Sequence, residues 1–321
     1  MPELVATDDV KLNYMQVGTG DDLVLLHGLG ANLSFWYFGA ARALAENRNV
    51  LMFDMRGHGR SSMPDHGYDL RTLAGDLAAL LDHHGIERAD IAGHSFGGIV
   101  ALAFAILHPH RVKNLIIADS HVRGVQSATR LRDWPHWPTW RAVLEANGLE
   151  DPPSDDSIID YKLLASLSQY TGAPGGGSAG GARAAMARPR KRIARAREMG
   201  EKGLNRWQTL LANTSAGKDF EDETLIDPDK IGELSVPTLL MFGKLSHCLP
   251  SADGLLTLMP DARLVVVPGA GHFFPLVKPA FFARVVELFL ARQTAETPVR
   301  PRGRRRLREA RRLRALTELR P

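Results

Sequence analysis

The sequence predicts an α/β fold, a mostly parallel sheet with helices on both faces, interrupted by a long helical insertion. Three observations predict it. Short apolar runs bounded by glycine alternate with stretches of helical period. That rhythm stops between about residues 122 and 234 and then resumes. No apolar run approaches the roughly 18 residues of a membrane-spanning helix. With 321 residues, 44% hydrophobic and 24% charged, the chain is neither disordered nor collagen-like as a whole.

The elements follow in order. LVLLHG at 23–28 reads as a buried strand, and NVLMFDMRG at 49–57 as another. Leu70, Leu73, Ala74, Leu77, Leu80 and Leu81 recur at helical spacing between Tyr68 and Gly85. ADIAGHS at 89–95 returns to strand, Ile99–His108 is helical and closed by Pro109, and NLIIADS at 114–120 is strand again. Strand and helix alternating in this way argue for βαβ units. The stretch 122–234 holds no comparable strand, but a tryptophan-rich WPHWPTW, a glycine-rich GAPGGGSAGG at 172–181 and a basic cluster at 188–206. It is too long for a loop and reads as an inserted, mainly helical subdomain. PTLLMFG at 237–243 and ARLVVVPG at 262–269 resume the strands, and a helix runs from Pro279 to Gln293. The expected organisation is a core of 1–121 and 235–295, an insertion of 122–234, and a basic tail of 296–321.

The formal net charge of +4 is unevenly spread. Residues 300–321 hold ten arginines against Glu309 and Glu318, a balance of +8 that leaves residues 1–299 at −4. The folded body is mildly acidic, and the tail is read first as a solvated segment, with nucleic acid or an anionic membrane as the weaker alternative. Removing 300–321 is therefore expected to spare turnover of small substrates. The N-terminus lacks a basic and apolar leader, which places the chain in the cytoplasm as an expectation. Cys248 is the single cysteine, so no internal disulfide and no cysteine-rich zinc site can form. Neither a metal nor a cofactor is expected, and no internal repeat is present; the oligomeric state stays open.

Chemistry concentrates in three places. Gly93-His94-Ser95-Phe96-Gly97 is a G-x-S-x-G pattern at a strand-to-helix junction, where a sharp turn lifts a serine hydroxyl above the sheet. His27-Gly28-Leu29-Gly30 follows the strand LVLL. An acyl-transfer enzyme needs backbone N–H groups aimed at a developing oxyanion, and those of Leu29 and Phe96 are the natural pair. Gly269-Ala270-Gly271-His272 follows the last strand, and among twelve histidines His272 is distinguished by that position. A histidine there can take the serine proton and return it to a leaving group.

LLHGLG, FDMRGHGRS, GHSFGG and GAGHFFPLVKP, in this order and spacing, resemble the α/β-hydrolase fold superfamily over about residues 5–293. The resemblance implies that Asp54, Arg56 and Ser61 are structural, that the insertion is a cap, and that a Ser-His-acid triad carries the chemistry. Many members place the acid shortly after the strand that here reads PTLLMFG. This chain has Ser246 there, so Ser246 is the alternative acid position. Some members, including one branch of the haloalkane dehalogenases, carry the acid after the preceding strand, and Asp119 falls at a comparable position. Asp119 is thus the expected acid, against a carboxylate that only satisfies loop N–H groups; Ser246, a water or a weakened enzyme remain alternatives.

Serine at the elbow argues against dehalogenase and epoxide-hydrolase chemistry, which in this superfamily use aspartate there. The expected activity is hydrolysis of a carboxylic ester, thioester or lactone of a small apolar or aromatic substrate. A C–C bond hydrolase, acyltransferase, lyase or hydrolase-like binding protein remains the alternative. Phe35, Trp36, Trp134, Trp137 and Trp140 are pocket candidates that read equally well as packing residues. His247 and Cys248 have no assigned role.

Overall fold

A computed structural model describes residues 3–5, 10–146, 149–160, 162–163, 203 and 205–296. The glycine-rich 172–181 segment, most of the basic 188–206 cluster and the tail from 297 lie outside the described residues. Eight strands form one sheet: β1 (Glu3–Val5), β2 (Lys11–Val17), β3 (Asp21–Leu26), β4 (Arg48–Phe53), β5 (Ala89–His94), β6 (Val112–Ala118), β7 (Thr238–Gly243) and β8 (Ala262–Val267). Their order is β1-β2-β4-β3-β5-β6-β7-β8. β1 and β2 are antiparallel to their neighbours, and every pairing from β4 to β8 is parallel.

Strand periodicity splits the core in two. Side chains alternate across a sheet, so Val24, Leu26, Leu51, Phe53, Leu240 and Phe242 enter one apolar cluster. Leu23, Leu25, Val50, Met52, Leu239 and Met241 enter the other. The first cluster is closed by α1 (Leu70–His83) and α2 (Phe96–Leu107). Asp69 caps α1 by accepting from Arg71 N and Thr72 N, both at 3.0 Å. The expected period is met in α1, where Leu70, Leu73, Ala74, Leu77, Leu80 and Leu81 are all buried.

The insertion supplies α3 (Trp137–Ala146), a helical run at 205–213 and short helical turns at Ala216–Asp219 and Pro228–Gly232. α4 (Leu249–Leu258) returns to the first cluster, and α5 (Pro279–Glu296) closes the second through Phe282, Val286 and Phe289. Leu131, Trp134, Trp137, Leu144 and Ile159 form a separate small core within the insertion. None of the described helices is long and apolar enough to cross a membrane.

Sequence reading missed the short β1 and also β2. Its polar Asn13 masks the apolar pattern, yet Asn13 is buried because its Nδ2 donates to Asp54 Oδ2 at 2.7 Å. Asp54 also accepts from Leu33 N (2.7 Å) and Arg60 N (2.8 Å), and Arg56 makes a buried two-pronged pair with Asp76 (2.6 and 2.7 Å). These contacts hold the loops at the carboxyl ends of β3 and β4.

Candidate active site

Ser95 joins β5 to α2 with φ 56° and ψ −127°. A Cβ on Gly93 would lie 2.1 Å from Gly97 O, and one on Gly97 would lie 2.4 Å from His27 O, so glycine alone fits either place. The Ser95 carbonyl accepts from Gly98 N at 2.9 Å and from Ser120 Oγ at 2.7 Å, which pins the strained residue. Ser95 and Asp119 (φ 53°) are the non-glycine residues with positive φ among the described residues. Backbone strain of this kind clusters where function demands it.

His272 comes from the loop after β8. Its Nε2 lies 3.0 Å from Ser95 Oγ, and its Nδ1 lies 3.3 Å from Asp119 Oδ1. Asp119 follows β6 directly, with its N–H donating to Met241 O at 2.9 Å. Its Oδ2 accepts from Gly243 N at 2.7 Å, and its Oδ1 accepts a short hydrogen bond from Ser246 Oγ. The strand-end carboxylate thus does satisfy a loop N–H, and it meets the histidine as well. Ser246 does not contact His272; it contacts Asp119, and its Oγ accepts from Cys248 N at 3.1 Å.

The site is dry. Ser95 and His272 are each 6% exposed and Asp119 is fully buried. Burial holds His272 below the ordinary imidazole range, so the ring is neutral and able to accept a proton at pH 7. Burial also pushes Asp119 up, opposed by hydrogen bonds from Ser246 and Gly243 N–H.

Cys248 Sγ lies 3.3 Å from His247 Nε2 and 3.7 Å from His272 Nδ1. These three ligand-type atoms lie within 4.8 Å of one another. They make a poor metal set as they stand, because burial keeps the Cys248 thiol protonated and His272 Nδ1 already faces Asp119.

The loop after β3 abuts the nucleophile: a Cβ on Gly28 would lie 2.9 Å from Ser95 Cβ. His27 Nδ1 donates to Gly28 O at 2.8 Å while its Nε2 accepts from Met55 N at 3.1 Å, which fixes the loop. Leu29 follows Gly28 in that loop, and Phe96 follows Ser95 at the start of α2.

The aromatic candidates separate. Phe35 and Trp36 are buried in the second core cluster. Phe35 stacks on His94 at 4.6 Å, and Trp36 packs on Phe282 at 5.3 Å. Both pack on the second face of the sheet, Phe35 directly against a residue of the elbow. Trp137 is also core, its Nε1 donating to Asp155 Oδ1 at 2.7 Å, and Trp140 packs on Trp134 at 5.4 Å. Trp134 alone of the three approaches the site, edge-on to His247 at 5.7 Å, and His247 lies 5.2 Å from the His272 ring.

Sequence reading missed His94, whose Nε2 donates to the His272 carbonyl at 2.8 Å and so holds the loop that carries the base. It also missed Phe220, 5.1 Å from Phe96, and Trp207, stacked on Phe220 at 6.3 Å. No local pattern marks these residues: His94 and Phe220 meet their partners His272 and Phe96 more than a hundred positions away along the chain.

A family model described as the alpha/beta hydrolase fold matches residues 22–279. The chain is 27% identical to the 2-hydroxy-6-oxo-2,4-heptadienoate hydrolase of Pseudomonas putida, covering 90% of this chain and 95% of that protein. It is 28% identical to the 2-hydroxymuconate semialdehyde hydrolase of a Pseudomonas species, over 91% and 94% of the two chains. Among solved structures, Est816, described as an N-acyl homoserine lactone degrading enzyme, is 26% identical with a TM-score of 0.61, covering 89% of this chain and 99% of its own.

Proposed function

The chain belongs to the α/β-hydrolase family, and from that premise we propose that it is a serine hydrolase that cleaves a carboxylic ester, thioester or lactone of a small apolar or aromatic substrate through an acyl-enzyme. The observation that carries the reading is one imidazole between two partners: His272 Nε2 at 3.0 Å from Ser95 Oγ and Nδ1 at 3.3 Å from Asp119 Oδ1. Ser95 Oγ attacks the carbonyl carbon while His272 Nε2 takes its proton. The Leu29 and Phe96 N–H groups hold the oxyanion, aided by the positive end of α2. Asp119 orients His272 and stabilises the imidazolium. His272 then gives the proton to the leaving oxygen or sulfur, which departs and leaves an ester on Ser95. A water that gives its proton to His272 attacks that ester, and the acid leaves as Ser95 recovers its hydrogen.

In this reading 1–121 and 235–295 are the catalytic core, 122–234 is the cap, and the work is done in the cytoplasm. The packing of Phe220 on Phe96, with Trp207 stacked on Phe220, supports a cap over the nucleophile. C–C bond hydrolysis is the second reading, favoured by the two relatives matched along nearly their whole length.

Labelling with a fluorophosphonate probe, followed by turnover of short p-nitrophenyl esters, tests the proposal. The wild type is expected to be labelled at Ser95 and to release p-nitrophenol, and Ser95→Ala to do neither. A folded wild type that resists the probe means that the serine is not activated and overturns the reading. Rapid turnover of 2-hydroxymuconate semialdehyde with slow ester turnover moves the second reading ahead.

A further inference from the structure

The sheet ends in two unlike edges. β1, at one end, is three residues long and carries Glu3. β8, at the other, runs six residues as ARLVVV with one charged side chain and no proline, and it pairs with β7 alone among the described residues. Short, charged or proline-bearing edges resist pairing with another chain, and a long apolar edge invites it. The ladder fixes which main-chain groups face outward. Asp261 O accepts from Thr238 N and Val267 O from Lys244 N, both at 3.0 Å, so these two residues face β7. Main-chain groups alternate sides along a strand, so Arg263 and Val265 face β7 as well, while Ala262, Leu264 and Val266 face away. The Ala262 N–H already donates to Met259 O at 3.2 Å, whereas the main chains of Leu264 and Val266 have no partner on the outer side among the described residues. Val266 is 37% exposed, and exposed apolar side chains continue beside it at Leu245, after β7, and at Leu256 of α4, the helix that packs on β7 and β8.

We propose that β8 is the seam of a symmetric dimer, in which the β8 strands of two copies of this chain pair antiparallel across a twofold axis and join two sheets into one. A twofold contact needs a patch that complements itself, and this edge does so in one register. With the axis at Val265, Leu264 of one copy lies opposite Val266 of the other, and each such pair exchanges both of its hydrogen bonds. Every outward N–H and C=O of Leu264 and Val266 is then paired. Arg263 faces Val267 of the other copy, so no like charges stand opposite one another. Shifting the axis to Val266 sets Leu264 against Pro268, which has no N–H to give. Shifting it to Leu264 sets Val266 against Ala262, whose N–H is already used. The side chain of Val266 shares a face with Leu264, which packs on the first core cluster, so the apolar surface at Val266 and Leu256 lies along the same side of the seam. The dimer is independent of the ester-hydrolase reading, since neither Leu264 nor Val266 belongs to the catalytic set.

Sedimentation velocity of the full chain across a wide range of concentration tests the proposal. The wild type is expected at twice the chain mass. Val266→Pro removes an outward N–H without touching the ladder to β7, and it is expected to sediment at the single-chain mass with its circular dichroism unchanged. Val266→Lys, which places a natural edge guard at the same position, is expected to do the same and serves if the proline variant misfolds. Val277→Lys, at an exposed apolar residue away from this edge, is expected to stay dimeric. Cross-linking reads the register directly. The axis brings the two copies of residue 265 to a Cα separation of about 4.5 Å, within disulfide range. Val265→Cys is therefore expected to form a disulfide-linked dimer under mild oxidation, and Arg263→Cys is not. A wild type that stays at the single-chain mass overturns the proposal, and so does one that dimerises only after residues 300–321 are removed, which makes the tail the occupant of the edge. A dimer that survives both Val266 variants, or that Val265→Cys does not cross-link, has its seam elsewhere and overturns it as well.

Discussion

Asp119→Asn isolates the acid with minimal change of shape. The wild-type carboxylate faces two fixed donors, Gly243 N–H at 2.7 Å and the Ser246 hydroxyl, and the His272 Nδ1 at 3.3 Å. An amide keeps one oxygen, which the Gly243 N–H claims because a main-chain donor cannot turn away. The NH2 group then occupies the place of Oδ1, where Ser246 can rotate to accept from it, and it presents hydrogen to His272 Nδ1. Nδ1 must then be the lone-pair nitrogen, and the ring hydrogen moves to Nε2. In that tautomer His272 has no lone pair for the Ser95 proton. The loss is that of the charge and of the tautomer together, about 10⁴-fold in kcat by the serine-protease precedent, or about 5.4 kcal/mol of transition-state stabilisation. Steady-state hydrolysis of p-nitrophenyl butyrate measures it, with Ser246→Ala as the control that removes one donor and leaves the carboxylate. Ser246→Ala is expected to lose no more than about tenfold, the range of a single neutral hydrogen bond. An Asp119→Asn enzyme that keeps more than about a tenth of wild-type kcat refutes the assignment, and a larger loss in Ser246→Ala than in Asp119→Asn moves the acid role elsewhere.

Three further predictions follow from burial. Since burial lowers the pKa of His272, the acid limb of kcat/KM should lie below the ordinary imidazole value of about 6.5, with activity lost only as pH falls through that lower value; an inflection at or above 6.5 counts against His272 as the base. Glu223 is pushed from 4.5 up to about 7 by burial, so the fold favours its protonated form. Its contribution is complete below about 4.5 and is lost as pH rises through about 7, at most about 3 kcal/mol. Glu223→Gln, which can still accept from Arg123 N, should melt several degrees above wild type at pH 8 and match it near pH 4.5, and a difference independent of pH removes the explanation. Asp76→Asn leaves the Arg56 guanidinium buried with its charge unanswered, at 1% exposure for both side chains. The expected cost is about 3–5 kcal/mol in urea denaturation, against under 1 kcal/mol for an exposed pair.

The alternation of apolar runs with helical periods was enough to determine the parallel sheet, its two covered faces and the long interval between its sixth and seventh strands. Those signals are local: strand and helix periods are written in neighbouring residues, and the G-x-S-x-G turn needs its glycines within five positions. Ser95, His272 and the glycine-bearing loop after β3 were legible for the same reason, each lying at the end of a recognisable strand. Asp119 beside His272 was expected from the resemblance and not from local pattern, because the meeting depends on β6, β7 and β8 lying side by side, and an open sheet does not announce which strand end reaches a given ring. The contact that joins Ser246 to Asp119, two strand ends 127 positions apart, is likewise a product of that pairing. Phe35 and Trp36 read equally as pocket or packing residues from their place after β3, and the fold buries both in the second core cluster. His58 and Arg206 came from separate motifs with no shared pattern, and only the tertiary fold brought both residues to the lining of one cavity. Sequence determined what each strand end carries, and tertiary structure decided which of those ends meet, since side-chain contact across a sheet is set by strand order and not by distance along the chain.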